Sequence, residues 1–238
     1  MAFTCAYNQG VKIVQRHSWQ VTPKQAIEIQ KTLAAKVIKT GSVNSPRRIA
    51  GVDISVNRFS QTGSGAVVVL DYPSLQIAEV QVVKDVVTFP YVPGLLSFRE
   101  IPLLLKAFEK LKTAPDLVLV DGQGIAHPRR IGLASHLGVI LGIPTIGCAK
   151  SRLCGKHEVP DVKSGSFTIL SDSSEVIGAV VRTRANVKPL YISIGHLISL
   201  PNAIKWVLAC CRGCRLPEPT RLAHQAAGGN LKVVVALK

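Results

Sequence analysis

Three carboxylates of this sequence lie in apolar segments, where acidic residues are not expected. Asp53 interrupts the strand-like run RRIAGVDISV, and Asp121 follows the apolar run LVLV. Glu100 belongs to a helix-like run, on the face that its leucines direct towards a sheet. A buried carboxylate needs a compensating cation or hydrogen-bond donors. Three inward carboxylates without a cysteine–histidine framework therefore predict a hard cation, Mg²⁺ or Mn²⁺.

Each carboxylate also has an ordinary structural interpretation, which the sequence leaves open. Asp53 could pair with Arg47 or Arg48 as a structural ion pair. Asp121 could be a turn residue ahead of a helix, and most helix glutamates such as Glu100 only solubilise the surface. Against the turn interpretation, the carboxyl end of a strand is where ligands bind in open α/β sheets.

The charge of the chain indicates which substrate a metal site would serve. The 238 residues include 29 Lys and Arg against 14 Asp and Glu, for a net charge of +15 spread along the chain. This excess predicts a polyanionic partner, although a solvated basic surface is the alternative. A divalent cation in such a protein suggests phosphodiester hydrolysis, where the metal activates water and stabilises the leaving oxygen.

The elements that must position these residues follow from hydrophobic periodicity and turn signals. A capping box predicts a helix over about 22–38, and three strands follow, the last two joined by a Pro-Ser turn. Helices and strands then alternate: a helix over 94–111, the strand ending at Asp121, a helix over 129–141, the strand PTIGCAK, a second hairpin (175–184 and 188–195) and two short helices. This order predicts an α/β fold with a mixed sheet, in which a three-strand antiparallel meander continues into parallel strands with flanking helices. Asp53 and Asp121 would then lie side by side.

The segment Thr88–Glu100, TFPYVPGLLSFRE, places a tyrosine in an unusually stiff loop. Pro90 and Pro93 flank Tyr91 and restrict the backbone, which argues against a packed strand. A buried core tyrosine is the alternative, because aromatic residues usually pack inside. Gly94 and the glycines of DGQG allow close approach of the backbone to a ligand.

Domain organisation and compartment follow from broader patterns. No linker or internal repeat is visible, so the chain 1–238 is predicted to be one domain with its core over about 47–227. The most apolar segment, Ile131–Ala149, contains His136 and is broken by Pro144, which favours a buried helix and strand over a membrane span. No secretory signal is visible, and a lone CxxC at Cys211 indicates reduced thiols rather than zinc. We expect a cytoplasmic protein without membrane contact.

Five ordered motifs over about 47–227 together resemble the endonuclease V family, which is directed at deoxyinosine. They are GVDIS, PYVPGLLSFRE, DGQGIAHPRRIGLASHLGV, GCAKS and RLPEPTRLAH. The resemblance implies a ribonuclease H-like fold and repair of DNA that contains deaminated bases. It implies cleavage of the second phosphodiester bond 3′ to the lesion, leaving 3′-hydroxyl and 5′-phosphate ends.

The resemblance also implies roles for the acidic residues and two basic ones. Asp53 and Asp121 would bind Mg²⁺, with Mn²⁺ as a substitute, and Glu100 would complete the site partly through water. His224 corresponds to the catalytic histidine and Lys150 to a lysine near the scissile phosphate. The local pattern alone favours an ordinary surface histidine at His224 and assigns nothing to Lys150.

Recognition of the lesion is implied for the stiff loop and its surroundings. Tyr91, flanked by Pro90 and Pro93, resembles a wedge that fills the gap left by an extruded base. Unstacking a base costs a few kcal/mol, which an aromatic plug partly offsets. Main-chain groups around three residues would form the lesion pocket, namely Gly94, Leu96 and Gly122.

Several residues of the same motifs have more than one interpretation at the level of sequence. Arg129 and Arg130 are predicted to begin a helix, where charge and amide donors could both contact phosphate, or to be solvated. His127 is either a helix cap or an active-site neighbour, with a phosphate contact as a further possibility. Gln123 departs from the histidine common in relatives, and we expect it to tune the activity.

Two other functions remain open at this level. One is an inosine-directed ribonuclease, since RNA recognition depends on 2′-hydroxyl contacts that the sequence does not reveal. The other is a non-catalytic nucleic-acid-binding protein on the same fold, against which the retention of all the catalytic residues argues. We expect a monomer in each case.

Overall fold

The computed structural model describes residues 10–56 and 61–231, and these ranges contain one mixed sheet of eight strands. The strands are β1 (Arg48–Val56), β2 (Thr62–Asp71), β3 (Gln76–Val86), β4 (Leu117–Val120), β5 (Thr145–Ala149), β6 (Phe167–Asp172), β7 (Glu175–Val181) and β8 (Leu190–His196). Their order across the sheet is β3-β2-β1-β4-β5-β8-β7-β6. Strands β1 to β3 form an antiparallel meander, and β4 and β5 continue it in parallel with β1. The predicted ribonuclease H-like mixed sheet is confirmed.

Helices cover both faces of this sheet. They are α1 (Pro23–Ala34), α2 (Leu96–Phe108), α3 (Leu133–Leu141), α4 (Leu200–Ala209) and α5 (Glu218–Ala227). Apolar residues of α2 and α3 pack on one face, and those of α4 and α5 pack on the other. Strands buried on both faces read as continuous apolar runs, as LVLV of β4 does.

The two-residue period of β1 decides which helix each of its side chains meets. Ala50 and Val52 pack beneath α2 and α3, whereas Ile49 belongs to the opposite core. Gly51 faces α5, and a Cβ atom there would lie 1.9 Å from the carbonyl oxygen of Pro219. The missing side chain lets the start of α5 lie directly against β1. Asp53, two residues further on, faces the same helix.

Local departures from the predicted elements occur where tertiary contacts override periodicity. The helix predicted over 129–141 begins only at Leu133, because Arg130 adopts a left-handed backbone with φ of 55°. The prediction that Arg129 and Arg130 begin this helix is therefore wrong. Helix α1 ends at Ala34 rather than near residue 38. Strand β6 was not predicted, because at the sheet edge its side chains alternate only weakly in burial.

The apolar segment Ile131–Ala149 contributes helix α3 and strand β5 to the core, as its composition predicted. In the described ranges, every helix is too short or too polar to span a bilayer. The described cysteines are all free thiols, and Cys5 lies outside the described residues.

Candidate active site

The sheet brings Asp53 and Asp121 together at its two adjacent central strands, β1 and β4. Val52 of β1 lies beside Val120 of β4 in the parallel register. Asp53 and Asp121, which follow these two valines, are therefore neighbours. His224 of α5 joins them, and ligand atoms of the three side chains all lie within 4.8 Å of one another. We call these three residues the acid–histidine cluster.

Each carboxylate of the cluster has a basic partner. Nδ1 of His224 lies 2.7 Å from Oδ2 of Asp53, although the two residues are 171 positions apart in the chain. The ammonium group of Lys150 forms an ion pair with Oδ2 of Asp121. The cluster and Lys150 together come from four segments, since Lys150 follows β5 directly.

Asp53 does not form the structural ion pair with Arg47 or Arg48 that the sequence left open. The side chain of Arg48 pairs with Asp71 at 3.4 Å, at the start of β1 and five residues before Asp53. The backbone N–H groups of Arg47 and Arg48 donate to Asp116. Among the described residues, the carboxylate of Asp53 bonds to His224 and to the backbone N–H of Ile54 instead of to an arginine.

Glu100 approaches the cluster from α2, which covers the other face of the sheet. It is half-buried and is not one of the tightly grouped ligand residues found within the described chain. Burial, together with the charges of Asp53 and Asp121, raises the pKa of Glu100 to about 8. The carboxyl group of Glu100 therefore interacts electrostatically with both aspartates.

The electrostatics of the acidic residues fit a bound divalent cation. Burial and the neighbouring charge of Asp121 raise the pKa of Asp53 above its ordinary value, despite the hydrogen bond to His224. Oδ2 of Asp121 is buried and has no hydrogen-bond donor among the described residues, its ion pair with Lys150 apart. Like charges held this close together favour a cation that would neutralise them.

A cavity of about 160 Å³ opens beside the cluster. Its wall includes the predicted lesion-pocket residues Gly94, Leu96 and Gly122, and Tyr91 stands at its margin. Further wall residues come from the segment that enters α3, from α1 and from the loop after β5; they are Gly132, Leu133, Gln30 and Leu153. The structure thus places the predicted pocket residues around one cavity.

The carbonyl oxygen of Gly94 is the anchor of the loop that carries Tyr91. It accepts hydrogen bonds from Nε2 of Gln30 at 3.0 Å, from Nη2 of Arg129 at 2.7 Å and from the ring of His127 at 3.0 Å. Nε of Arg129 also donates to Oε1 of Gln30 at 2.5 Å. This network ties the loop to α1 and to the segment before α3.

Gln30 is a site residue that the sequence analysis missed. It is 1% exposed and lies on the buried face of α1 with Ala26 and Leu33. A polar residue at the i+4 position of an apolar helical stripe was the available signal. Buried polar groups need hydrogen-bond partners, and here the partners are the loop and an arginine.

His127 has partners for both ring nitrogens within the protein. Nε2 pairs with the Gly94 carbonyl, and Nδ1 accepts a hydrogen bond from the backbone N–H of Arg129 at 3.1 Å. This arrangement requires the neutral tautomer with its proton on Nε2. Burial, with the nearby charge of Arg129, lowers the pKa of His127 to about 4.

The two arginines of the same segment are also engaged. Arg129 supports the Gly94 carbonyl, and Arg130 forms ion pairs with Asp172 at 2.9 Å and Glu175 at 2.6 Å. These bonds leave each guanidinium with further N–H donors, so the predicted contacts of Arg129 and Arg130 with phosphate stay predictions. A phosphate contact by the ring of His127 would require one of its two hydrogen bonds to break.

Tyr91 is 73% exposed, which excludes the core interpretation of its loop. Pro90 and Pro93 on either side are exposed as well. The base of the loop is held by Arg99, whose Nη1 donates to the carbonyl of Phe89 at 2.5 Å. A rigid, anchored loop therefore presents a bare aromatic ring to solvent at the margin of the cavity.

Gln123 also lines the cavity, with its side chain held at one end only. Nε2 donates to the carbonyl of Ser151 at 2.8 Å, which orients the amide. Oε1 is buried and has no donor in the described part of the chain. Gln123 thus keeps one buried acceptor without a donor among the described residues, beside the cavity that it helps to line.

Comparisons with known proteins agree with this geometry. The family model for Endonuclease V matches residues 31–225. A curated relative, Endonuclease V of Gloeobacter violaceus, is 53% identical over 220 residues, which cover 91% of this chain and 89% of the relative.

Solved structures give the same match. The crystal structure of Endonuclease V from Streptomyces avermitilis has a TM-score of 0.85 at 39% identity and covers 93% of this chain and 97% of its own. Endonuclease V of Ciona intestinalis, crystallised with a 24mer DNA containing an inosine followed by a ribo-adenosine, has a TM-score of 0.75 at 28% identity. That match covers 87% of this chain and 97% of the other.

Proposed function

Since the chain belongs to the endonuclease V family and is a nuclease, we propose that it cuts DNA strands at deaminated bases. The lesion is deoxyinosine, and the cut falls at the second phosphodiester bond on its 3′ side, leaving 3′-hydroxyl and 5′-phosphate ends. The observation that carries the proposal is the acid–histidine cluster beside a cavity with an exposed tyrosine at its margin. The Ciona relative with inosine-containing DNA supports the choice of lesion.

The cofactor of this reaction is Mg²⁺, with Mn²⁺ as a substitute. Asp53 and Asp121 hold the ion, and Glu100, which lies outside the tight cluster of the described residues, acts partly through water. Carboxylate oxygens are the ligands that Mg²⁺ prefers. When bound, the ion supplies an activated water and charge stabilisation for the leaving oxygen.

His224 and Lys150 supply proton transfer and positive charge. If Nδ1 of His224 donates to Oδ2 of Asp53, its Nε2 remains an acceptor facing solvent, because the side chain is 60% exposed. His224 then takes or returns a proton at the reacting phosphate. The ammonium group of Lys150, held by Asp121, stabilises negative charge on the same phosphate.

The lesion base occupies the cavity, and Tyr91 takes its place in the stack. Main-chain groups around Gly94, Leu96 and Gly122 contact the base. His127 and Arg129 act by ordering this wall through the Gly94 carbonyl. Pro90 and Pro93 limit the freedom of the loop before binding, so that less ordering entropy is lost.

RNA is the second candidate substrate, because the DNA bound by the Ciona relative carries a ribonucleotide after the inosine. The non-catalytic alternative is disfavoured, since the cluster retains both aspartates and the histidine. We further propose that the protein acts as a monomer in the cytoplasm and initiates repair of deaminated DNA.

Matched 5′-labelled strands with a central inosine, as DNA and as RNA, test the proposal with Mg²⁺ present. We expect one product that ends one nucleotide beyond the inosine on its 3′ side, formed faster from DNA. The same strands with adenosine serve as the control. Equal cutting of adenosine strands would refute lesion recognition, and faster cutting of RNA would assign the protein to RNA.

A further inference from the structure

The face of the sheet that carries the acid–histidine cluster continues beyond the end of α5 as a polar row. Ser55 of β1 pairs with Ser64 of β2, and Ser64 pairs in turn with Lys84 of β3. These residues lie directly across three neighbouring strands and therefore project from the same face. We call Ser55, Ser64 and Lys84 the polar row.

The row adjoins the cluster. Ser55 lies two residues after Asp53 on β1, a distance of about 7 Å along a strand, and on the same face. Helix α5 covers β1 and β2 as far as Ala227, where Gly228 and Gly229 follow without side chains. A cavity of about 380 Å³ is left between these glycines and the row.

The chemistry of this cavity suits an anion. Oγ of Ser64 is buried and has no hydrogen-bond partner in the described part of the chain. Lys84 is exposed and forms none of the ion pairs found among the described residues. The described wall contains no carboxylate. A buried hydroxyl without a partner is costly unless a ligand or water satisfies it, and a phosphate oxygen would do so.

We propose that the polar row binds a backbone phosphate of the substrate strand on the 3′ side of the scissile bond. This proposal rests on the proposed function. The lesion cavity is lined by residues that follow β4 and β5, together with the loop before α2 and Gln30 of α1, whereas the row extends from β1 towards β3. In the strand order, the cluster on β1 and β4 lies between the row and the β4 and β5 side of the cavity. A strand with its lesion in the first cavity and its reacting phosphate at the cluster continues over the row.

The test compares Lys84→Ala and Ser64→Ala with the wild-type protein in binding to two single strands containing inosine, with Ca²⁺ in place of Mg²⁺. One strand extends six nucleotides beyond the cut position and the other ends one nucleotide beyond it. Lys110→Ala is the matched control, since Lys110 is an exposed lysine that follows α2 on the other face. Binding is measured by fluorescence anisotropy over a range of salt concentrations.

We expect Lys84→Ala to weaken binding of the long strand by about fivefold and to reduce the salt slope by about one, with no change for the short strand. Ser64→Ala should weaken only the long strand as well, and Lys110→Ala should change neither. Equal losses on both strands, or no loss on the long one, would overturn the proposal. Binding of the wild-type protein to the long strand is also measured with adenosine in place of inosine. Equal affinity for the two would count against the proposed function and not against the row, because the row contacts only the backbone.

Discussion

At the scale of single residues, Asp53 and Asp121 place carboxylate oxygens within 4.8 Å of each other, and each carboxylate has one basic partner. We expect Asp121→Asn to abolish cleavage while the fold is retained, because the amide keeps the volume but removes the charge that holds the cation. Asp53→Asn should behave alike. Cleavage with Mg²⁺ and circular dichroism provide the measurements, and strong Mg²⁺-dependent cutting by the purified Asp121→Asn protein would contradict the assignment.

His127 gives a residue-scale prediction about acid stability. The pKa of His127 in the folded protein is about 4, below the ordinary value of 6.5. Between these two pH values the ring is therefore protonated in the unfolded chain but stays neutral in the folded protein. The stability that neutral His127 confers is therefore complete above pH 6.5 and is lost as the pH falls towards 4. In this window the free energy of unfolding falls by about 1.4 kcal/mol for each pH unit.

The measurement is the difference in unfolding free energy between the wild-type protein and His127→Gln, from urea titrations at several pH values. Taking the difference removes the contributions of other groups, such as Glu100, whose raised pKa acts in the opposite direction. We expect the difference to shrink between pH 6.5 and 4. A difference that stays constant would mean that His127 titrates normally in the folded protein.

At the scale of elements, the contact of α5 with β1 depends on Gly51. A Cβ atom there would lie 1.9 Å from the carbonyl oxygen of Pro219, which belongs to the backbone and cannot rotate away. We expect Gly51→Ala to displace α5, to cost about 1–3 kcal/mol in stability and to reduce cleavage by separating His224 from Asp53. Gly10→Ala is the control, since its Cβ would meet nothing within 4 Å. Full activity of Gly51→Ala would show that the helix position is not critical.

The loop around Tyr91 gives the second prediction at this scale. If the ring fills the gap left by an extruded base, Tyr91→Ala should weaken duplex lesion binding by roughly 1–3 kcal/mol and Tyr91→Phe much less. The loss should be smaller on single strands, which have less stacking to replace. Metal binding should be unchanged. Equal losses on both substrates would indicate a general strand contact instead of gap filling.

At the scale of the whole molecule, the net charge of +15 predicts salt-dependent binding to undamaged duplex. With a slope of about −0.9 per neutralised phosphate, about five contacts would lower the affinity by roughly 10⁴-fold per decade of salt. Anisotropy titrations between low and moderate salt measure the slope. A nearly flat dependence would mean that the charge serves something other than a phosphate backbone.

Much of the molecule follows from local patterns of the sequence. The apolar periods predicted β1, β4 and α5 and the mixed sheet, because burial on one or both faces imposes a period on the chain itself. The types and positions of Asp53 and Asp121 indicated a metal site, since carboxylates in apolar strands need compensation. That the chain forms a single domain stays a prediction.

Only the tertiary structure decided which distant groups meet. His224 reaches Asp53 because Gly51 admits α5, and three donors from separate segments converge on the carbonyl of Gly94. Arg130 leaves the predicted helix because Asp172 and Glu175 of the β6–β7 hairpin hold it. Such contacts depend on how elements pack across long separations in the chain, which local periodicity does not encode.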